Sequence, residues 1–144
     1  MELDFIPAKA QILRNGNDIS LIATGHMVWE ALQSAKLLKE KGISARVINI
    51  HTIKPIDKET IINAAKETKA IVTLEEHQVM GGFGSAVAEV VSQNHPVPIK
   101  MIGMQDRFGE SGEPEELMLK YGLKAEVFTP SIIQFQSTLG NLKR

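Results

Sequence analysis

With 144 residues, 43% hydrophobic and 23% charged side chains and a net charge of −1, the chain reads as an ordinary soluble domain, not a disordered or nucleic-acid-coating protein. No run of about 18 apolar residues exists, so no membrane span is expected; Met1 to Ile6 lack the order of a secretory signal, which leaves the cytoplasm as the default location. The absence of cysteine excludes disulfides, thiolate metal sites and a cysteine nucleophile.

Along the chain, two periodicities alternate. Ala10 to Arg14 is a short strand-like piece that ends at the turn Asn15-Gly16-Asn17-Asp18, and Ile19 to Thr24 is a nearly continuous apolar run. Val28, Ala31, Leu32, Ala35 and Leu38 then recur at helical spacing, with Gly42 as a C-terminal stop. Ala45 to Ile50 is a second apolar run, and Asp57 stands where an N-cap belongs, ahead of Ile61, Ile62, Ala64 and Ala65. Ala70 to Leu74 is a further strand, followed by Glu75, Glu76 and His77 and by the glycine turn Gly81-Gly82-Phe83-Gly84. Phe83, Ala86, Val87, Val90 and Val91 form the stripe of an amphipathic helix. Ile99 to Ile102 is the last strand. Pro114 opens a helix with Glu115 and Glu116 in its first turn and Lys120 in its last, before Gly122; each charge lies where the helix dipole favours it. Thr129-Pro130 starts a final helix over Ile132, Ile133 and Phe135.

Apolar runs of this kind suit strands covered on both faces, and their alternation with helices implies right-handed crossovers in a three-layer α/β/α sandwich. A four-residue turn is too short for a parallel crossover, so the first of five strands should run antiparallel to the rest. No repeat, linker or low-complexity tract interrupts residues 1–144, which read as one domain.

The candidate chemistry is sparse. Gly82-x-Gly84 before a helix could offer backbone N–H groups to an anion. As a dinucleotide fingerprint it fails, because Val87 stands where a third small residue belongs and Glu75 and Glu76 would repel a pyrophosphate. A tight turn that lets the helix approach the sheet is the plainer reading. His77 beside two acids could relay protons, yet no nucleophile accompanies it. His26 follows Gly25 at the end of the second strand, where ligands bind parallel sheets, or it simply occupies the start of the helix. The polar loop from Asp106 to Glu113 carries Arg107, the best anion-binding candidate, which Asp106 or Glu110 could equally lock. His26, Glu76, His77, Gly82, Gly84, Ser85 and Arg107 thus form a candidate anion or interface site. No residue is assigned to catalysis, cofactor binding or a metal; His26, His51, His77 and His95 are scattered, with no pair at i, i+4.

Five pieces in order resemble the C-terminal domain of transketolases: Ile22 to Gly25, Val72 to His77, Gly81 to Glu89, Asp106 to Gly112, and Glu115 to Leu123. The resemblance runs from about Ala8 to Phe135, with residues 1–7 and 136–144 as terminal extensions, and its wording is closest to the split or short-subunit type. It implies a five-stranded mixed sheet with one antiparallel strand. It also implies a full enzyme that transfers a two-carbon ketol unit between sugar phosphates with thiamine diphosphate and Mg²⁺. In that family the cofactor belongs to other domains or an N-terminal subunit, at a homodimer interface. No catalytic residue of the family therefore falls on this chain, whose implied role is packing and dimer stabilisation, and which reads as an excised domain or truncated subunit. The loop from Asp106 to Glu113 is then expected to work against a neighbouring domain or subunit. The alternatives are a stand-alone small-anion or regulatory module, and the C-terminal domain of a deoxyxylulose-phosphate synthase or of a 2-oxo-acid dehydrogenase E1 β-type subunit.

Overall fold

Strands β1 (Gln11–Arg14), β2 (Ile19–Ala23), β3 (Ala45–Asn49), β4 (Ile71–Gln78) and β5 (Ile99–Met104) form one sheet in the order β1-β3-β2-β4-β5. This is a computed structural model, and it describes residues 9–51, 55–78, 82–104, 119–120 and 122–141. The pairs β3–β2, β2–β4 and β4–β5 are parallel, and β1 alone is antiparallel, as the short turn requires. That turn does not make a hairpin. β1 pairs with β3, and the chain passes the start of β3 on its way to β2. Gly16 permits the passage, because a Cβ there would collide with the backbone of Ala45 and Arg46. Asp18 fastens the crossing: its N–H donates to the Ser44 carbonyl at 2.9 Å, and its Oδ2 accepts from the Ser44 N–H at 2.7 Å.

The crossover helices are α1 (Met27–Glu40), α2 (Lys58–Glu67) and α3 (Phe83–Asn94), and α4 (Ala125–Asn141) follows β5. Because successive strand residues point to opposite faces, the sheet feeds two cores. Leu21, Val47, Val72 and Leu74 pack with α1 and α4; Ile22, Ile48 and Ile71 pack with α2 and α3. β2 is buried at every position, consistent with its nearly continuous apolar run, and its one polar member, Ser20, meets the Thr68 hydroxyl at 2.9 Å. Asp57 caps α2 as its position suggests, accepting from the Thr60 N–H at 3.1 Å and the Thr60 hydroxyl at 2.8 Å. Its second oxygen also accepts from the Ala10 N–H at 2.8 Å, so one carboxylate starts a helix and anchors the approach to the edge strand.

Two boundaries differ most from the sequence expectation. β4 continues through Glu75, Glu76, His77 and Gln78, with a register shift against β5 between Leu74 and Gln78. The acids therefore belong to the strand and not to the turn after it. Helix α4 starts at Ala125, ahead of Thr129-Pro130, and Pro130 lies inside it. The earlier start is capped from α1: the Ala125 N–H donates to Glu30 Oε1 at 2.8 Å. Pro130 removes only one helical donor near the exposed side of the second turn, which the packing of Phe128 and Ile132 tolerates. Of the helix expected from Pro114, Leu119 and Lys120 are described and are helical; Pro114, Glu115 and Glu116 lie outside the described residues.

Candidate functional site

Glu75 and Glu76 end up on opposite faces of β4 because they are consecutive strand residues. Glu75 is 2% exposed. Its Oε1 accepts from the Phe83 N–H at 3.0 Å and its Oε2 from the Gly84 N–H at 2.9 Å. These are the first amides of α3, whose N-cap, Gly82, has no side chain with which to satisfy them. The carboxylate also meets the positive end of the helix dipole. The anion at this glycine turn is thus the chain's own.

Gly84 makes that approach possible. A Cβ on it would lie 2.7 Å from Thr73 Oγ1 and 3.2 Å from the Met101 side chain. Only hydrogen lets the first turn of α3 press onto β4 and β5. Ser85 follows on the same turn and is half-buried.

On the other face, Glu76 Oε2 accepts from the His26 N–H at 3.2 Å and lies 3.9 Å from His26 Nδ1. His26 occupies the N-cap position of α1 without a capping bond from its own side chain. Glu76 thus ties down the residue ahead of α1, whose own first amides, those of Met27, Val28 and Trp29, donate to the Thr24, Gly25 and His26 carbonyls, and it does so in solvent: the His26 side chain is 77% exposed and that of Glu76 38%. The structure thus brings His26 together with Glu76, and Gly82, Gly84 and Ser85 together with Glu75, on opposite sides of the sheet. The backbone of His77 lies in β4, and its side chain is outside the described part. Arg107 and the loop from Asp106 to Glu113 are also outside the described residues.

One polar group escaped the sequence reading. Glu30 and Ser34 lie on the buried side of α1, between Met27, Ala31, Ala35 and Leu38. Glu30 holds the Ala125 N–H and pairs with Lys124 Nζ at 3.2 Å, and the Ser34 and Thr129 hydroxyls meet at 2.6 Å. The signal was present: 27, 30, 31, 34, 35, 38 is a continuous helical stripe, and two of its members are polar.

A cleft of about 420 Å³ lies between β1 and α2, with Lys9, Arg46, Glu59 and Glu67 on its walls. Its charges balance internally: Arg46 Nη1 pairs with Glu67 at 2.8 Å, and Arg46 Nε donates to the Gly16 carbonyl at 3.2 Å. Among the described residues, no group of three or more metal-ligating side chains is gathered. The glycine turn does not fit a diphosphate, since Glu75 already holds the Phe83 and Gly84 amides. No described helix is long and apolar enough to cross a membrane.

A family model described as transketolase, C-terminal domain, matches residues 8–127. A 6-deoxy-6-sulfo-D-fructose transketolase subunit of Clostridium sp. strain MSTE9 is 46% identical over 123 residues, covering 85% of this chain and 38% of that protein. A 1-deoxy-D-xylulose-5-phosphate synthase of Trichormus variabilis is 43% identical over 127 residues, covering 88% of this chain and 20% of that protein. Among solved structures, a split-gene transketolase described as an inactive beta4 tetramer superposes with a TM-score of 0.86 at 43% identity, covering 97% of this chain and 45% of that one. The chain spans less than half the length of each of these proteins.

Proposed function

The chain belongs to the transketolase C-terminal domain family, and we propose on that premise that it is the C-terminal part of a split or short-subunit transketolase. The assembled enzyme moves a two-carbon ketol unit between sugar phosphates. Thiamine diphosphate, with a divalent metal ion, supplies the nucleophilic carbon that takes up that unit. This chain's own residues stay away from the reacting atoms and give the rest of the enzyme a rigid body to pack against. Its partners are the remaining transketolase domains or an N-terminal subunit, and the working unit is a homodimer of the complete assembly.

The observation that carries this reading is the match of nearly the whole chain to less than half of a split-gene transketolase chain. The self-occupied amides of α3 support the non-catalytic role, since the turn that most resembles a phosphate cradle is closed by Glu75. The identity to the Trichormus synthase supports a second reading, in which the same fold is the C-terminal part of a deoxyxylulose-phosphate synthase.

The test is a chimaera in which this chain replaces the matching part of the clostridial subunit and is mixed with the other subunit of that enzyme. Ketol transfer by the chimaera is expected. A folded but inactive chimaera, together with activity when the chain is grafted into the Trichormus synthase, would favour the second reading.

A further inference from the structure

Trp29 is the chain's one tryptophan, and it is 63% exposed. It stands in the first turn of α1, three residues after His26, so the two side chains share a side of the helix. Glu76 stands beside His26 across the sheet end. The base beneath the indole is rigid. Met27 is fully buried, and Glu30, the next residue, is held by the Ala125 N–H at 2.8 Å and by Lys124 at 3.2 Å.

A large aromatic side chain presented on a fixed backbone loses little freedom when it docks, and aromatic anchors carry much of the energy of protein interfaces. The remaining exposed apolar residues are weaker anchors. Ile12 and Leu13 lie at the register shift of edge strand β1, and Leu37, Leu119 and Val127 are, like them, aliphatic, a class less common among interface anchors than tryptophan.

The occupant follows from length. This chain matches 38% of the clostridial subunit and 45% of the split-gene transketolase chain. In those proteins the same fold is continuous with a larger remainder that must pack on some face of it. We propose that the Trp29 face of α1, bordered by His26 and Glu76, is where the remainder of a transketolase subunit packs, receiving the indole in an apolar socket with an acceptor for its N–H. The inference rests on the transketolase reading above and adds the surface to it.

Hydroxyl-radical footprinting read by mass spectrometry tests it on the unsubstituted protein. The oxidation rate of Trp29 is compared between the isolated chain and the clostridial chimaera, with Leu13 as the exposed reference. Trp29 is expected to be protected about tenfold or more in the chimaera while Leu13 is unchanged, and Trp29→Ala is expected to lower the thermal midpoint of the chimaera by about 2 °C or more. The same substitution should leave the thermal midpoint of the isolated chain in place.

A chimaera that transfers ketol units while Trp29 stays as reactive as in the isolated chain overturns the surface and spares the reading. A folded chimaera without ketol transfer overturns the reading, and the surface with it. Protection of Trp29 in the isolated chain, rising with concentration as sedimentation reports a dimer, would assign the face to a second copy and overturn the proposal.

Discussion

Glu75 and Glu76, neighbours on β4, hold the N-termini of two helices on opposite faces of the sheet. Glu75 takes the Phe83 and Gly84 amides of α3 at 3.0 and 2.9 Å, and Glu76 takes the His26 amide before α1 at 3.2 Å. The alternation of a strand sends two consecutive acids to the starts of two helices, Glu75 to the first amides of α3 and Glu76 to the residue ahead of α1. Their environments differ, and so should their energetic weight.

Replacing Glu75 with alanine strands two buried amides at a helix start. Hydrogen bonds to charged groups are worth about 1.5–3 kcal/mol, and leaving donors unpaired adds a desolvation penalty. Glu75→Ala should therefore destabilise the domain by about 1.5–3 kcal/mol or more, whereas Glu76→Ala, at an exposed pair, should cost about 0–1 kcal/mol. Urea unfolding of both variants checks the ordering; equal losses would mean that the two acids carry equal weight.

The reach of the sequence can be judged at these same residues. Strand and helix identities were legible because burial on both faces leaves nearly continuous apolar runs such as Ile19 to Ala23, and because Asp57 caps its own helix locally. The antiparallel first strand followed from a turn four residues long. The start of α4 was not legible, because its cap is Glu30, 95 residues away in the chain. The length of β4 was hidden for a related reason: Glu75 reads as a surface acid until the α3 amides that neutralise it are in place. Of the candidate site, sequence identified His26 and Glu76 as notable but not that they touch, since β2 and β4 become neighbours only through the sheet order.

Val87 was expected on the buried stripe of α3, and it is fully buried in the core between α2, α3 and the sheet. Val87→Ala removes buried methyl groups and leaves a cavity, which should lower stability by roughly 1–3 kcal/mol. The urea midpoint should fall with little change in slope. An unchanged midpoint would mean that the helix repacks at no cost.

Asp57 gives the domain an acid-sensitive joint. Burial, the largest single influence, raises its pKa, but the Ala10 N–H, the Thr60 hydroxyl and N–H, and nearby Lys9 together hold it below its ordinary value. A carboxylate depressed in the folded state contributes stability above its unfolded pKa of about 3.9, and that contribution is lost as pH falls through the folded value. Asp57→Asn should therefore flatten the decline of stability below about pH 4. Asp57→Ala should cost about 0.5–2 kcal/mol at neutral pH through the lost cap. Thermal unfolding as a function of pH distinguishes them; an acid limb as steep in Asp57→Asn as in the wild type would place the sensitivity elsewhere.

Calorimetric titration of the isolated chain with thiamine diphosphate and Mg²⁺ bears most directly on the central claim, that this domain supports a thiamine-dependent enzyme without holding its cofactor. The glycine turn offers no free amides at Phe83 and Gly84, and the described residues gather no metal-ligating cluster. No saturable heat is expected at any workable concentration. Micromolar binding with defined stoichiometry would contradict the claim and return the cofactor site to this chain.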